Sequence, residues 1–333
     1  MKTKTSKIDL MRPRDLYEKA KLLRERDGVD FYLRKGRLFR EVGCVACGSK
    51  RAGLRFYKCG FRHVECSRCG TLFVSPRPAE KDLLSYYSDF EAPLFWTQVL
   101  LNTDSERKVI QYAPRAKMLV DACRANMAGK DTVFLDVGAG SGNFALAVKQ
   151  EDYFSKVTAL DVSGECVSVC RRKGLDAFRG TLSDYRGKAD CLAMNDLIEH
   201  VFSPEDMLRE ARKKLNPGGI LMIATPNCLG LDFSLFGKDT DNVTPPEHVQ
   251  YFNPKSISVL FKRTGFSVLD VSTPGILDLA IVERKVRDGY ALESGSYISR
   301  IIKSGGKTKD DFQAFLQRNR LSSHMVAYAR RAG

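Results

Sequence analysis

Tryptophan and histidine are scarce in this 333-residue chain, with one and four copies. Proton chemistry near neutral pH therefore has few candidates: His63, His200, His248 and His324. No apolar run approaches the roughly 18 residues that a membrane helix needs. The opening stretch MKTKTSKIDLMRPRDLYEKA has no apolar signal core, which predicts a cytoplasmic protein. Ten cysteines in such a compartment are not expected to form disulfides, so metal ligands and buried thiols are the readings left for them. Low-complexity tracts and internal repeats are absent as well. With 43% apolar and 28% charged residues, the chain can bury an ordinary globular core.

The formal charge is +14, and residues 1–43 contribute 13 Lys or Arg against 7 Asp or Glu. A basic surface favours a phosphate-bearing partner. A run without interleaved aromatics or Gly-Arg repeats reads more simply as an amphipathic helix, with Leu16, Ala20 and Leu23 inward and its charges in solvent, so nucleic acid ranks below a small molecule. Four segments follow: a basic helical stretch (1–43), a cysteine-rich unit (44–78), a helical connector (79–130) and an α/β region (131–333). In the last, strands TVFLDV, KVTALDV, LDAFRG, DCLAMND and GILMIAT alternate with amphipathic helices, which predicts crossover units and a mainly parallel sheet. FSVLDVS and SHMVAYARR read as two further strands separated by an insertion at about 276–322.

VFLDVGAGSGNF (133–144) reads as a strand feeding a tight glycine turn into a helix, a nucleotide-site candidate. Gly138, Ala139, Gly140 and Gly142 form the turn, and Asn143 stands where a dinucleotide fold would carry its third glycine. Asp161 ends the next strand, where a carboxylate can grip ribose hydroxyls. The negative Asp136 beside the turn repels a diphosphate and suits an ammonium group.

Cys44-x-x-Cys47 and Cys66-x-x-Cys69, with 18 residues between the pairs, have the spacing of a four-thiolate zinc ribbon. Such a site has no open coordination position and is structural. Cys59 and His63 are poorer-spaced substitutes.

LDVGAGSGNFA, VTALDVS, DCLAMNDLIEHVFSPEDMLREARKKLNPGGILMIATPN and YFNPKSISVLFKRTGFSVLDV, taken in order, resemble the motifs of class I S-adenosylmethionine-dependent methyltransferases over about 110–275. The resemblance implies a Rossmann-like seven-stranded α/β fold. It also implies that Asp136 and Gly138 lie against the methionine part of the cofactor, Asp161 binds the ribose, Val162 flanks the adenine, Thr181 and Leu182 pass its edge, and Asn195 and Asp196 lie below the methyl group. The ribbon followed by LFVSPRPAEKDLLSYYSDF is similar to the amino-terminal zinc domain of bacterial sugar and polysaccharide methyltransferases. This leaves Tyr86 and Tyr87 as either acceptor-facing or core aromatics.

Methyl transfer to a hydroxyl needs a base. His248, in VTPPEHVQYFNP, is the leading candidate, with Glu247 orienting it. In the sugar C-methyltransferases a Glu-His pair followed by Tyr-Phe occupies this loop, as Glu247, His248, Tyr251 and Phe252 do here. Pro245 and Pro246 stand where that family has Tyr-His, which keeps O-methylation open. Glu199 and His200 repeat a pair that in ubiquinone-type O-methyltransferases is associated with a divalent metal; two ligands are too few for a metal site, so His200 is assigned to the acceptor pocket. The expected function is methyl transfer from S-adenosylmethionine to a hydroxyl of a sugar or glycoconjugate precursor. The alternatives are a sugar C-methyltransferase and an RNA methyltransferase with the zinc ribbon as its RNA-binding module, although for the latter NDLIEHV stands where an NPPY-type tetrapeptide would.

Overall fold

The structure is a computed structural model that describes residues 6–127, 131–293 and 296–332; the glycine expected to close the connector helix, Gly129, lies outside them. The amino-terminal part folds as helices α1 (Lys7–Met11) and α2 (Arg14–Lys35), then strands β1 (Ala52–Lys58), β2 (Phe61–Cys66) and β3 (Leu72–Val74). Helices α3 (Glu80–Asp89), α4 (Glu91–Asn102) and α5 (Asp104–Arg107) follow, and a single π-helical turn, Lys108–Tyr112, joins α5 to α6 (Ala113–Asn126). Strand and helix then alternate through β4 (Val133–Val137), α7 (Asn143–Gln150), β5 (Lys156–Asp161), α8 (Gly164–Arg172), β6 (Asp176–Arg179), β7 (Ala189–Asn195), α9 (Pro204–Lys214) and β8 (Leu215–Pro226). After α10 (Leu231–Phe236) come β9 (Gln250–Tyr251), α11 (Pro254–Arg263), β10 (Phe266–Ser272), α12 (Asp278–Arg287), α13 (Tyr297–Lys303), α14 (Gly306–Arg318) and β11 (His324–Arg331).

The seven-stranded sheet has the order β10-β11-β8-β7-β4-β5-β6. β11 runs antiparallel to both neighbours, while β8, β7, β4, β5 and β6 are mutually parallel. This is the Rossmann-like α/β fold expected of class I methyltransferases. Both faces are covered, so the central strands are apolar along their whole length instead of alternating. The two-residue side-chain period still sorts them. Leu192, Met194, Leu221 and Ile223 enter one core, and Cys191, Ala193, Ile220 and Met222 the other. The four cysteines' unit shares the first of these cores, through Val64, Cys66, Cys69 and Phe73.

Local chemistry sets the helix starts that aim the functional loops. Ser203 caps α9 by accepting from the Asp206 amide at 3.3 Å, with Pro204 in the first turn. Asn253 and Ser256 make a reciprocal capping box at α11, which fixes the exit of the loop that carries His248. A smaller sheet, β1-β2-β3-β9, ends in a strand contributed by that same loop. No described helix is long and apolar enough to cross a membrane.

Candidate functional site

The parallel strands end on one edge of the sheet, where ligands sit in open α/β folds. At the first of these ends, Asp136 is 1% exposed and neither carboxylate oxygen has a hydrogen bond of ordinary geometry. Burial pushes its pKa up to about 8, with the Asp161 charge acting in the same direction and the Ala145 amide only partly offsetting them. Gly138 and Ala139 donate their amides to the Leu160 carbonyl at 2.8 and 3.0 Å, which pins the turn to the neighbouring strand. Asp161 is held by the Gly140 amide on one oxygen and the Ser163 amide on the other, both at 2.8 Å. Beside it Val162 is exposed.

Asn143 explains the missing third glycine. Its side chain is buried, donating to Asp104 of α5 and accepting from Lys173, whose ammonium also reaches Asp104 at 2.6 Å. Ser141 donates to the same Asp104 carboxylate at 3.2 Å. The connector helices are thus tied onto the turn by a third carboxylate.

Gly142 has φ of +76°, and a Cβ there would lie 2.7 Å from the Cys170 Sγ and from a Leu175 methyl. The left-handed backbone and the clash act together, so Gly142→Ala is expected to cost about 1–3 kcal/mol, read as a lower urea midpoint at unchanged slope. A wild-type midpoint would mean that the turn relaxes at no cost.

His324 sits against Asp196, the residue after β7, which has φ of +54°, and His200 and His248 lie within reach of the same charge. His324 Nε2 lies 2.7 Å from Asp196 Oδ1, and Arg115 and Gln111 reach Oδ2 at 3.2 and 3.3 Å. Arg115 also donates to the Asn195 side chain. The Arg115 and His324 charges hold the Asp196 carboxyl well below the usual range despite its burial. His200 and His248 pack edge to face with ring centroids 4.5 Å apart. Tyr87 places its hydroxyl 2.8 Å from His200 Nδ1, while Tyr86 is a core aromatic. Glu199 is 1% exposed and accepts from Thr225; burial, then the Asp196 charge, raises its pKa to about 8.

The structure corrects two sequence expectations. Glu247 does not orient His248, because both its oxygens are taken by the Arg24 guanidinium at 3.1 and 2.9 Å. Instead His248 Nδ1 donates to the Asn242 carbonyl at 2.7 Å, which leaves Nε2 with its lone pair. Leu182 is turned into the core at 3% exposure, so its side chain is not displayed for a nucleobase edge; Thr181 is exposed, its hydroxyl donating to Asp184 at 2.6 Å.

The amino-terminal helix is more than a solvated face. Its Tyr17, Ala20, Leu23 and Phe31 are buried, Arg24 lies 4.1 Å from the Trp96 ring centre, and Arg12 pairs with Asp241 at 3.1 Å. Tyr87 was weighed as acceptor-facing in the sequence, but Arg24, Arg115 and His324 were not singled out as site residues. Only the scarcity of histidine pointed to the last of these.

Cys44, Cys47, Cys66 and Cys69 converge, with all four sulfurs within 4.8 Å of one another. Cys44–Cys69 and Cys47–Cys66 are each 3.5 Å apart. Cys59 and His63 stand outside this group; His63 Nδ1 donates to the Phe61 carbonyl at 3.2 Å, and burial lowers the ring's pKa to about 4. Glu199, His200 and His248 form a second such group at the same spacing, which brings together the two Glu-His motifs that the sequence left separate.

Residues 109–271 match the family described as "Methyltransferase domain". A ubiquinone biosynthesis O-methyltransferase of Xanthomonas euvesicatoria is 24% identical over 189 residues, covering 51% of this chain and 77% of that protein. Its counterpart in Xylella fastidiosa is 27% identical over 156 residues, 41% of this chain and 62% of that protein. A geranyl diphosphate methyltransferase solved with S-adenosylmethionine aligns over 71% of this chain and 90% of that one, at 15% identity and a TM-score of 0.48. The chain carries a class I, S-adenosylmethionine-dependent methyltransferase domain.

The residues present fit that cofactor. A buried carboxyl without ordinary hydrogen bonds, at Asp136, suits an ammonium that would draw it into its ionised form, and the Asp161 carboxylate at the turn disfavours a pyrophosphate.

Proposed function

We propose that this protein transfers a methyl group from S-adenosylmethionine to a hydroxyl of a sugar, nucleotide-sugar or glycoconjugate precursor. The observation that carries the reading is His248: its Nδ1 proton is committed to the Asn242 carbonyl, which leaves the Nε2 lone pair to take a proton, and its ring packs against His200 in a cluster with Glu199. Desolvation, followed by the His200 charge, keeps the His248 pKa well below the ordinary imidazole value, so the ring is unprotonated at neutral pH. When bound, the cofactor supplies an electrophilic methyl on a sulfonium. The chain's part is to hold the acceptor in line and take its proton on Nε2 as the oxygen forms its new bond to carbon. Asp136, Gly138, Ala139, Gly140, Gly142 and Asp161 would hold the cofactor, with Val162 against the adenine and Asn195 and Asp196 under the reacting carbon. The four cysteines would hold a structural Zn²⁺.

A cleft of about 510 Å³ is lined by Thr244 and Pro245 of the His248 loop and by Arg24 of α2, which holds Glu247 of that loop. Five cationic and five anionic side chains line it, along with Tyr17 and Tyr290. That mixture offers both donors and acceptors to the hydroxyls of a sugar. The Glu199, His200 and His248 group supports a second reading, in which a divalent metal lowers the acceptor's pKa and the histidines are ligands.

One assay tests these readings: transfer of labelled methyl from S-adenosylmethionine to panels of nucleotide-sugars and of catechols, with and without added Mg²⁺ or Mn²⁺. Labelled sugar without added metal is the expected result. Transfer to catechols alone would overturn the sugar assignment, and strict metal dependence would replace the free base by the metal.

A further inference from the structure

Arg77 lies where the chain leaves the cysteine unit, and at 2% exposure it ranks among the largest fully buried side chains. No carboxylate among the described residues pairs with it, and its Nε and one terminal nitrogen make no hydrogen bond. A cation in that position needs a countercharge or it destabilises the fold. Arg77 and Cys44 line the same small cavity of about 190 Å³; its one carboxylate, Glu205, is already taken by Arg209 and Arg263, which leaves the cysteine group as the source of a countercharge. Four thiolates around one Zn²⁺ carry a net charge of −2, which would supply it.

The remaining guanidinium nitrogen of Arg77 donates to the Phe202 carbonyl at 2.8 Å and to Gln250 Oε1 at 3.2 Å. Gln250 is fully buried and passes the contact on, its amide nitrogen donating to the Ile198 and Val201 carbonyls at 2.8 and 2.7 Å. Those carbonyls bracket Glu199 and His200. Gln250 also follows His248 by two residues and lies in β9, which pairs with β3 of the cysteine unit. The Val74 amide donates to the Val249 carbonyl at 2.9 Å, and the Val249 amide to the Glu199 carbonyl at 3.1 Å. One continuous set of hydrogen bonds thus joins the cysteine unit to both histidine loops.

We propose that Arg77 is a positioning residue: held by the charge of the zinc tetrathiolate, it clamps Gln250 and Phe202 so that His200 and His248 keep their edge-to-face spacing. This rests on the zinc reading above. It makes the metal site, which offers no open coordination position for catalysis, a determinant of the geometry of the base. The clamp acts through backbone carbonyls, so its loss loosens two loops without touching the glycine turn or Asp161.

The test uses the full-length protein and needs no acceptor. Zinc is removed with a chelator and its loss confirmed by metal analysis. Amide exchange is then read at Val74, Val249 and His200, imidazole resonances at His200 and His248, and affinity for S-adenosylhomocysteine in parallel. Zinc-free protein is expected to exchange at Val74 and Val249 at least about tenfold faster, with both imidazoles shifted and cofactor-product affinity unchanged. In Arg77→Met the chelator should strip zinc at least about tenfold faster, and Val249 should again exchange quickly. Arg77→Lys should keep the metal, because the charge remains, yet fail to restore Val249 protection, because an ammonium lacks the guanidinium fork.

Unchanged exchange and unshifted imidazoles in zinc-free protein would overturn the proposal without recourse to any variant, so a misfolded Arg77→Met would not shelter it. Wild-type zinc release from a folded Arg77→Met would overturn it too. A protein that takes up no zinc removes the metal reading itself, and metal analysis tells that failure apart from the others.

Discussion

His248→Ala is expected to lose at least about a hundredfold in turnover while binding S-adenosylhomocysteine as the wild type does, because a positioned general base contributes about 10²–10⁴ to rate. The separation follows from the geometry. The cradle is built from Asp136, the glycine turn and Asp161, tied together by strand-to-strand amides, whereas His248 is anchored to Asn242 on its own loop. Removing the imidazole leaves the Asn242 carbonyl open to water and takes nothing from the cradle. The pH profile should agree. Burial and the neighbouring His200 charge lower the His248 pKa below 6.5, so the acid limb of turnover belongs below that value and a plateau should cover neutral pH. A cycle with His200→Ala adds discrimination, since His200 is engaged by the Tyr87 hydroxyl and carries less of the expected loss if it only lines the pocket. Equal, near-complete losses in both variants, reversed in neither by a change of pH, would favour the metal-ligand reading. Undiminished turnover in His248→Ala would remove it as base.

Much of this fold could be read from the chain because local signals and tertiary context agree. The parallel strands are short apolar runs, Ser203-Pro204 and Asn253-Pro254 announce two helices, and the two C-x-x-C knuckles bring four sulfurs together. The cradle was legible for the same reason: it is contiguous in sequence, a strand, a turn and the end of the next strand. The histidine centre was legible only in pieces. His200 and His248 are 48 positions apart and His324 lies at the far end of an insertion, yet the fold packs the first two ring to ring and sets the third on Asp196, four residues before His200, and no spacing rule predicts that convergence. Glu247 misled because adjacency in sequence suggested a contact. The two side chains take different partners: Asn242 holds His248, and Arg24, 223 positions away, takes the Glu247 carboxylate. The basic amino terminus misled differently. Its charges look solvated when counted, but Arg12 and Arg24 face inward and are neutralised by acids that only the fold supplies.

Cofactor affinity is expected to climb with pH by about tenfold per unit between pH 6 and pH 8 and to level off above. Asp136 sets that window. Its carboxyl is neutral in the free protein below about pH 8, because burial without ordinary hydrogen bonds raises its pKa from 3.8. An ammonium placed against it favours the ionised form, so binding below pH 8 must release a proton, and each unit of acidity then weakens apparent affinity by a factor of ten. The same shift has the opposite sign for the free fold. Between 3.8 and about 8 the folded state holds a proton that the unfolded chain has lost, so this residue's contribution to stability is complete below pH 3.8 and is lost as pH rises through 8. Calorimetry with S-adenosylhomocysteine, which keeps the amino-acid ammonium, reads both sides. The binding enthalpy should depend on the buffer's own ionisation enthalpy at pH 6.5 and become independent of it at pH 9. Asp136→Asn should abolish the dependence and bind with a flat, weaker affinity, since an amide cannot supply the charge. Glu199, which also titrates near 8 but belongs to the histidine group, provides the control, because Glu199→Gln should leave the cofactor's pH profile intact. An affinity that stays constant from pH 6 to pH 9 in the wild type would mean that Asp136 is already ionised or does not meet the ammonium, and the cradle would need another acid to hold it.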